Sequence, residues 1–257
     1  ASMIFWDWLF FNDEPFRGDP KKSDEWNRGA YLVAGPGHCG VCHNSKNFLG
    51  GDKSSGALQG GVLQGWLSPD LTEDKRSGLA DWSIEDIVAY LKTGHNRLSF
   101  ASGPMAEVIA DSTSHLEKAD LHAIATFIKD QPAPQKPASA SLNQSDSAMK
   151  VGEAVYIDQC AACHDRTGVG AKDIFPPLKG SPIVQQADPT TLARVVLHGT
   201  QNVATAEAPT GPAMPAFGWK FTDEQTAVVL TYIRNAWGNA APAVTAGQVS
   251  DLRSPKG

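Results

Sequence analysis

Apolar side chains along these 257 residues fall at helical spacing in six places, and no run of comparable strength shows the alternation of a half-buried strand. Behind Ser23, a capping residue, Trp26, Gly29, Ala30 and Val33 stand at i, i+3, i+4 and i+7, and Gly152, Val155 and Tyr156 stand at i, i+3 and i+4 ahead of Cys160. Ser83 opens a helix through Ile84, Ile87, Val88 and Leu91 that Gly94 stops; Asp188-Pro189 opens its counterpart through Leu192, Val195 and Val196, ending at Gly199. Two capping boxes, Ser114-His115-Leu116-Glu117 and Thr222-Asp223-Glu224-Gln225, lead into closing helices. The first carries Leu121, Ile124, Ala125 and Ile128; the second carries Val229, Tyr232, Ile233 and Ala236, with Gly238 as its stop. The expected fold class is all-α. Each closing helix is expected to pack on the helix that opens its set, where Gly29 and Gly152 permit close approach.

Those six helices are three, written twice. The repeat divides the chain into an arm over residues 1–22, a first domain over 23–131, a linker over 132–146, a second domain over 147–238 and a tail over 239–257, expected to be draped or mobile. The stretch 131–141 is rich in Pro, Ala and Ser and reads as semi-rigid polyproline.

All four cysteines lie in two copies of one motif, Cys39-Gly40-Val41-Cys42-His43 and Cys160-Ala161-Ala162-Cys163-His164. Cysteines three apart on a helical turn project to one side, where both sulfurs can add to the vinyl groups of a single haem while the next histidine coordinates the iron. A zinc ribbon would keep its cysteine pairs roughly 15–20 residues apart, whereas 160 − 42 = 118 positions separate these. A thioredoxin-like pair gives neither histidine a role. Two covalently bound c-type haems are therefore expected, and because such attachment is made outside the cytoplasm, so is a periplasmic location.

The second axial position asks for a soft ligand, and the chain has four methionines. Met3 precedes any folded domain and Met149 lies on the approach to the second motif. Met105 and Met214 occupy matched Gly-Pro settings, Gly103-Pro104-Met105 and Gly211-Pro212-Ala213-Met214, each ahead of a closing helix. They are the expected partners of His43 and His164, on loops that proline holds still. His38, His95, His115, His122 and His198 have no repeated place beside that turn. Filling both positions disfavours substrate chemistry at iron, so no catalytic residue is named.

Charge narrows the partners. A net charge of −6 with no basic run leaves no surface for nucleic acid. The apolar stretch 3–11 is interrupted by Asp7 and is half the ~20 residues that span a bilayer. No transmembrane helix is expected, while peripheral association with the membrane stays open. Ala1-Ser2-Met3 reads as an added or trimmed start.

Residues 26–33, 37–43, 66–72 and 232–239 together resemble the multihaem cytochrome c subunits of bacterial membrane-bound dehydrogenases for alcohol, gluconate, sorbitol, fructose or aldehydes. The resemblance covers most of residues 6–239 and implies class I cytochrome c-like domains in tandem, here two of the usual three. Residues 6–11 look like the connector after a first domain, so the chain is either an excised fragment or a two-haem relative. The implied donor is a catalytic dehydrogenase subunit holding pyrroloquinoline quinone, flavin or molybdenum; the implied acceptor is ubiquinone, a cytochrome or a terminal oxidase. Trp66 would wall a haem pocket, the alternative being a plain turn with a buried tryptophan. Asn44-Ser45-Lys46 departs from the Thr-Pro-Arg common in the family, so that loop's partner contacts do not carry over. The expected function is electron transfer by a subunit that is not itself an enzyme. The alternatives are a free cytochrome c4-like shuttle and a di-haem peroxidase.

Overall fold

In the computed structural model, which describes residues 2–11, 14–53, 55–136 and 139–253, the arm is a helix, α1 (Ser2–Phe10). There follow α2 (Asp24–Ala34), α3 (Gly40–His43), a hairpin of β1 (Gly61–Leu63) and β2 (Trp66–Ser68), α4 (Ile84–Thr93), α5 (Pro104–Asp111) and α6 (Lys118–Lys129). The second half repeats the plan with α7 (Ser147–Gln159), α8 (Ala161–His164), α9 (Thr190–His198), a pairing of β3 (Thr200–Gln201) with β4 (Ala213–Met214), α10 (Asp223–Ile233) and α11 (Ala246–Arg253). The fold is helix-rich rather than all-α. The β1–β2 hairpin turns through Gln64 and Gly65, both at positive φ, the geometry of a tight two-residue turn that Asn-Gly announces and Gln-Gly does not.

Local chemistry starts and stops the helices where the sequence asks. Ser23 Oγ accepts from the Trp26 N–H at 3.1 Å to start α2; Ser83 and Asp86 exchange bonds reciprocally to start α4, which Gly94 ends in the left-handed region. Thr222 and Gln225 form the same box on α10. Three expectations fail. Ser114 does not cap: its hydroxyl donates to Ala110 O at 3.2 Å, a 3-10 turn covers residues 113–115, and α6 begins after Glu117 with no side-chain cap. α10 stops at Ile233, five residues before Gly238, because the amides of Asn235 and Asn239 donate to Thr231 O and Ile233 O at 2.9 and 2.8 Å and take the helix's last carbonyls. The tail is packed. Thr245 and Gln248 cap α11 reciprocally, and Val244, Val249 and Leu252 join the second core.

There are two hydrophobic cores, one per half. The first gathers Leu32, Val33, Trp82, Ile87, Val88, Leu121, Ile124 and Ile128; the second gathers Met149, Tyr156, Leu192, Val196, Leu230 and Ile233. Each is organised by one helix crossing, α2 on α6 and α7 on α10. At those crossings a methyl group on Gly29 would overlap the Ala123 carbonyl oxygen, and one on Gly152 the Val228 carbonyl oxygen. Arg234, fully buried at the end of α10, donates to Pro242 O, Val184 O and Ala187 O at 3.0, 3.1 and 3.2 Å, tying two loops of the second half to one guanidinium. Polar contacts join the halves: Gln186 Nε2 donates to Ser77 O at 2.7 Å, and Arg76 donates to Ala240 O at 2.7 Å. Of the Pro-rich stretch between them, Pro137 and Ala138 lie outside the described residues; just before these, Lys136 pairs with buried Asp70.

Gly29→Ala and Gly152→Ala are each expected to destabilise the chain by about 1–3 kcal/mol through overpacking. Gly247→Ala, with open space around it on α11, is expected to be neutral or to stabilise by roughly 0.5–1 kcal/mol. Urea unfolding of the three variants checks both.

Candidate haem sites

The two motifs emerge from their helices differently. α2 ends at Ala34, the chain turns through Gly35-Pro36-Gly37, and the Cys39 N–H returns to Val33 O at 3.1 Å before α3 begins. In the second half the Cys160 N–H bonds Tyr156 O at 2.9 Å, so the motif follows directly from α7. From there the two are alike. The His43 N–H reaches Cys39 O at 2.9 Å and the His164 N–H reaches Cys160 O at 3.0 Å, so each Cys-X-X-Cys-His occupies one helical turn.

Both histidines are buried, and each offers Nδ1 to a proline carbonyl: His43 to Pro69 O at 2.8 Å, His164 to Pro176 O at 3.1 Å. A carbonyl only accepts, so Nδ1 carries the proton and Nε2 keeps its lone pair. Burial pulls both imidazoles below the ordinary histidine range, against the opposing pull of the proline carbonyls. The side chains are therefore neutral and of fixed tautomer, with an Nε2 lone pair able to bind a metal. Burial also pushes the Cys39 thiol up, and the Cys160 thiol up to about 11. Both of these thiols are thereby held in the protonated form at neutral pH. Among the described residues no group of three or more His, Cys, Asp and Glu could hold a metal ion.

Met105 and Met214 are half-buried in different backbone settings. Met105 lies in the first turn of α5, behind Pro104 at the helix start, and packs against the first core, as Cys39 does. Met214 lies on β4 and packs against the second core, as Cys160 does. The expected matched loops are thus a helix start and a strand; proline is favoured in a first turn because its missing N–H has no partner there anyway. Trp66 is half-buried at the start of β2, over Gly103, two residues before Met105. Met149 is buried in the second core. His115 and His198 face the carbonyls of Ala110 and Leu252, and His95 stacks on Phe100.

The residues fit haem on a further observation. The Trp82 indole N–H is buried in the first half without a hydrogen-bond partner, and both amide atoms of buried Asn202 are likewise unpaired. The Trp82 N–H and the Asn202 Nδ2 are donors that call for an acceptor the polypeptide does not supply, and haem brings two carboxylates. The proline carbonyls and Trp82 escaped the sequence reading. The prolines stand 69 − 43 = 26 and 176 − 164 = 12 residues after their histidines, so no common spacing marks them.

Residues 149–237 match the family described as Cytochrome c. The chain is 38% identical to the cytochrome c subunit of alcohol dehydrogenase (quinone) from Gluconacetobacter polyoxogenes, over 95% of this chain and 56% of that protein. It is 36% identical to the gluconate 2-dehydrogenase cytochrome c subunit of Pantoea cypripedii, over 98% and 61%. It thus spans little more than half the length of either dehydrogenase subunit. Cytochrome c-552 of Thermus thermophilus is 31% identical over 41% of this chain and 86% of its own length. With the motif, the buried neutral histidines and these matches in hand, the chain belongs to the cytochrome c family and is similar over most of its length to the cytochrome c subunits of dehydrogenases.

Proposed function

We propose that this chain is a periplasmic two-haem electron carrier that accepts electrons from a catalytic dehydrogenase subunit and passes them to a quinone, a cytochrome or a terminal oxidase. Its haem-binding units are residues 23–131 and 147–238, the second lengthened to Arg253 by the helix that completes its core. Cys39 and Cys42 hold one haem and Cys160 and Cys163 the other; His43 with Met105, and His164 with Met214, are the axial pairs. One observation carries the reading: the same constellation occurs twice, a cysteine pair on one helical turn, a buried histidine committed to a proline carbonyl, and a methionine against the same core.

The chain's residues do the rest of the work. Proline carbonyls orient the imidazoles, thioether sulfur favours the reduced metal, and the two cores exclude water. When bound, haem supplies reversible one-electron redox chemistry.

A standing partner interface is supported by the arm. Met3, Ile4, Phe5, Trp8, Leu9 and Phe11 are exposed on and beside α1, and Trp6 Nε1 donates to Leu49 O at 2.9 Å, fixing that helix to the loop that follows the first haem motif. Phe48 in the same loop is 95% exposed. A free shuttle would keep such a surface polar, which favours the subunit reading. Among the described residues no helix is long and apolar enough to cross a membrane.

Intact-mass measurement is expected to give the polypeptide plus two haems, with one lost in Cys39→Ala/Cys42→Ala and the other in Cys160→Ala/Cys163→Ala; an unmodified polypeptide would overturn the reading. Met105→Ala and Met214→Ala are each expected to remove about half of the near-infrared sulfur-to-iron band. In stopped-flow mixing with a substrate-reduced quinoprotein, flavoprotein or molybdenum dehydrogenase, haem absorbance should report reduction by the true partner. Removal of residues 2–11 is expected to weaken that association at least tenfold.

A further inference from the structure

Trp66 belongs to neither core, yet it is the place where the second half reaches the first most specifically. Helix α9 presents Thr191 and Arg194, three residues apart and so on one face, to strand β2. The Thr191 hydroxyl accepts from the Leu67 N–H at 3.0 Å and donates to Leu67 O at 2.8 Å. The Arg194 guanidinium carbon stands 4.6 Å from the Trp66 ring centroid. Arg194 makes no ion pair among the described residues, and its Nε is buried without a hydrogen-bond partner. The indole face is therefore what meets its charge.

The same ring lies over Gly103. A Cβ at that position would stand 2.9 Å from three ring atoms, and its φ of +56° suits glycine. Gly103 caps α5, whose first turn holds Pro104 and Met105. Three residues beyond Trp66, Pro69 receives Nδ1 of His43. Strand β2, gripped by α9, thus lies over the turn that holds Met105 and runs directly into the proline whose carbonyl receives His43. The matching helix of the first half reaches back by a different contact, Lys92 of α4 pairing with Glu207 at 3.8 Å. When Gly94 and Gly199 are aligned, both five residues on, the position of Arg194 is occupied in the first half by Ala89.

We propose that Arg194 is a positioning residue for the first haem site: seated on Trp66, it holds the Gly103-Pro104-Met105 turn, so that the potential at the His43/Met105 pair depends on the docked second half. The proposal rests on the ligand reading above. Loss of the cation frees the ring, loosens the methionine turn and removes a positive charge from its neighbourhood. Each of these favours the oxidised metal, so the potential falls.

The experiment uses the full haem-loaded chain. In a spectroelectrochemical titration Arg194→Ala should lower one of the two midpoint potentials and leave the other in place. It should also lower the pH at which the near-infrared sulfur-to-iron band is lost. Arg194→Lys, which keeps a cation at the ring, should recover most of both effects, and Arg194→Gln reads the same loss should the alanine variant not accumulate. In a Met105→Ala background Arg194→Ala should move the first potential much less than in the wild-type chain, by only the part due to the lost charge, whereas in a Met214→Ala background its full shift should persist. Equal movement of both potentials, or a lower melting temperature with neither potential moved, overturns the proposal. A wild-type chain lacking the sulfur band would instead overturn the ligand reading beneath it.

Discussion

Two backbone-to-backbone helix crossings organise this molecule. Gly29 lets α2 lie directly on the Ala123 carbonyl of α6, and Gly152 lets α7 lie on the Val228 carbonyl of α10. Interiors packed to crystal density do not absorb an added methyl group at such a point. Each crossing fixes the end of the helix from which a Cys-X-X-Cys-His turn emerges, so the placement of sulfur and imidazole depends on the absence of a side chain ten and eight residues earlier. The core around the crossing then buries the histidine, which keeps it neutral.

The repeat is faithful in chemistry and loose in backbone. A Gly-Pro-Gly turn separates helix from motif in the first half and is missing from the second, and the methionines stand on a helix start and on a strand. What both halves keep is a short list of chemical requirements: one helical turn, one proline carbonyl, one thioether against the core. Different backbones satisfy it, because a thioether on flexible bonds reaches the core from more than one of them.

The legible features were local ones. Periodicity and caps predicted α2, α4, α7, α9 and the start of α10, and Gly29 and Gly152 announced the packing partners in advance. Features that depend on main-chain atoms were hidden, because a carbonyl carries no residue signature; Pro69 and Pro176 are the clearest cases. Competition hid others. Ser114 had two acceptable partners and its hydroxyl went backwards to Ala110, while Thr245 and Gln248 formed a cap inside an Ala- and Pro-rich tail whose composition argued for mobility. The segment 232–239, singled out for its resemblance, is largely structural: Arg234 and Asn239 tie loops together, and Trp237 packs against Tyr156 and Tyr232.

The seam between the halves has a consequence for how such chains diverge. Gln186 reaches the main-chain carbonyl of Ser77, Gln185 that of Arg76, and Arg76 that of Ala240. A carbonyl is presented by whatever amino acid stands there. The recipient loops are free to accept substitutions over evolutionary time without undocking, and selection falls on the few long polar side chains that do the reaching.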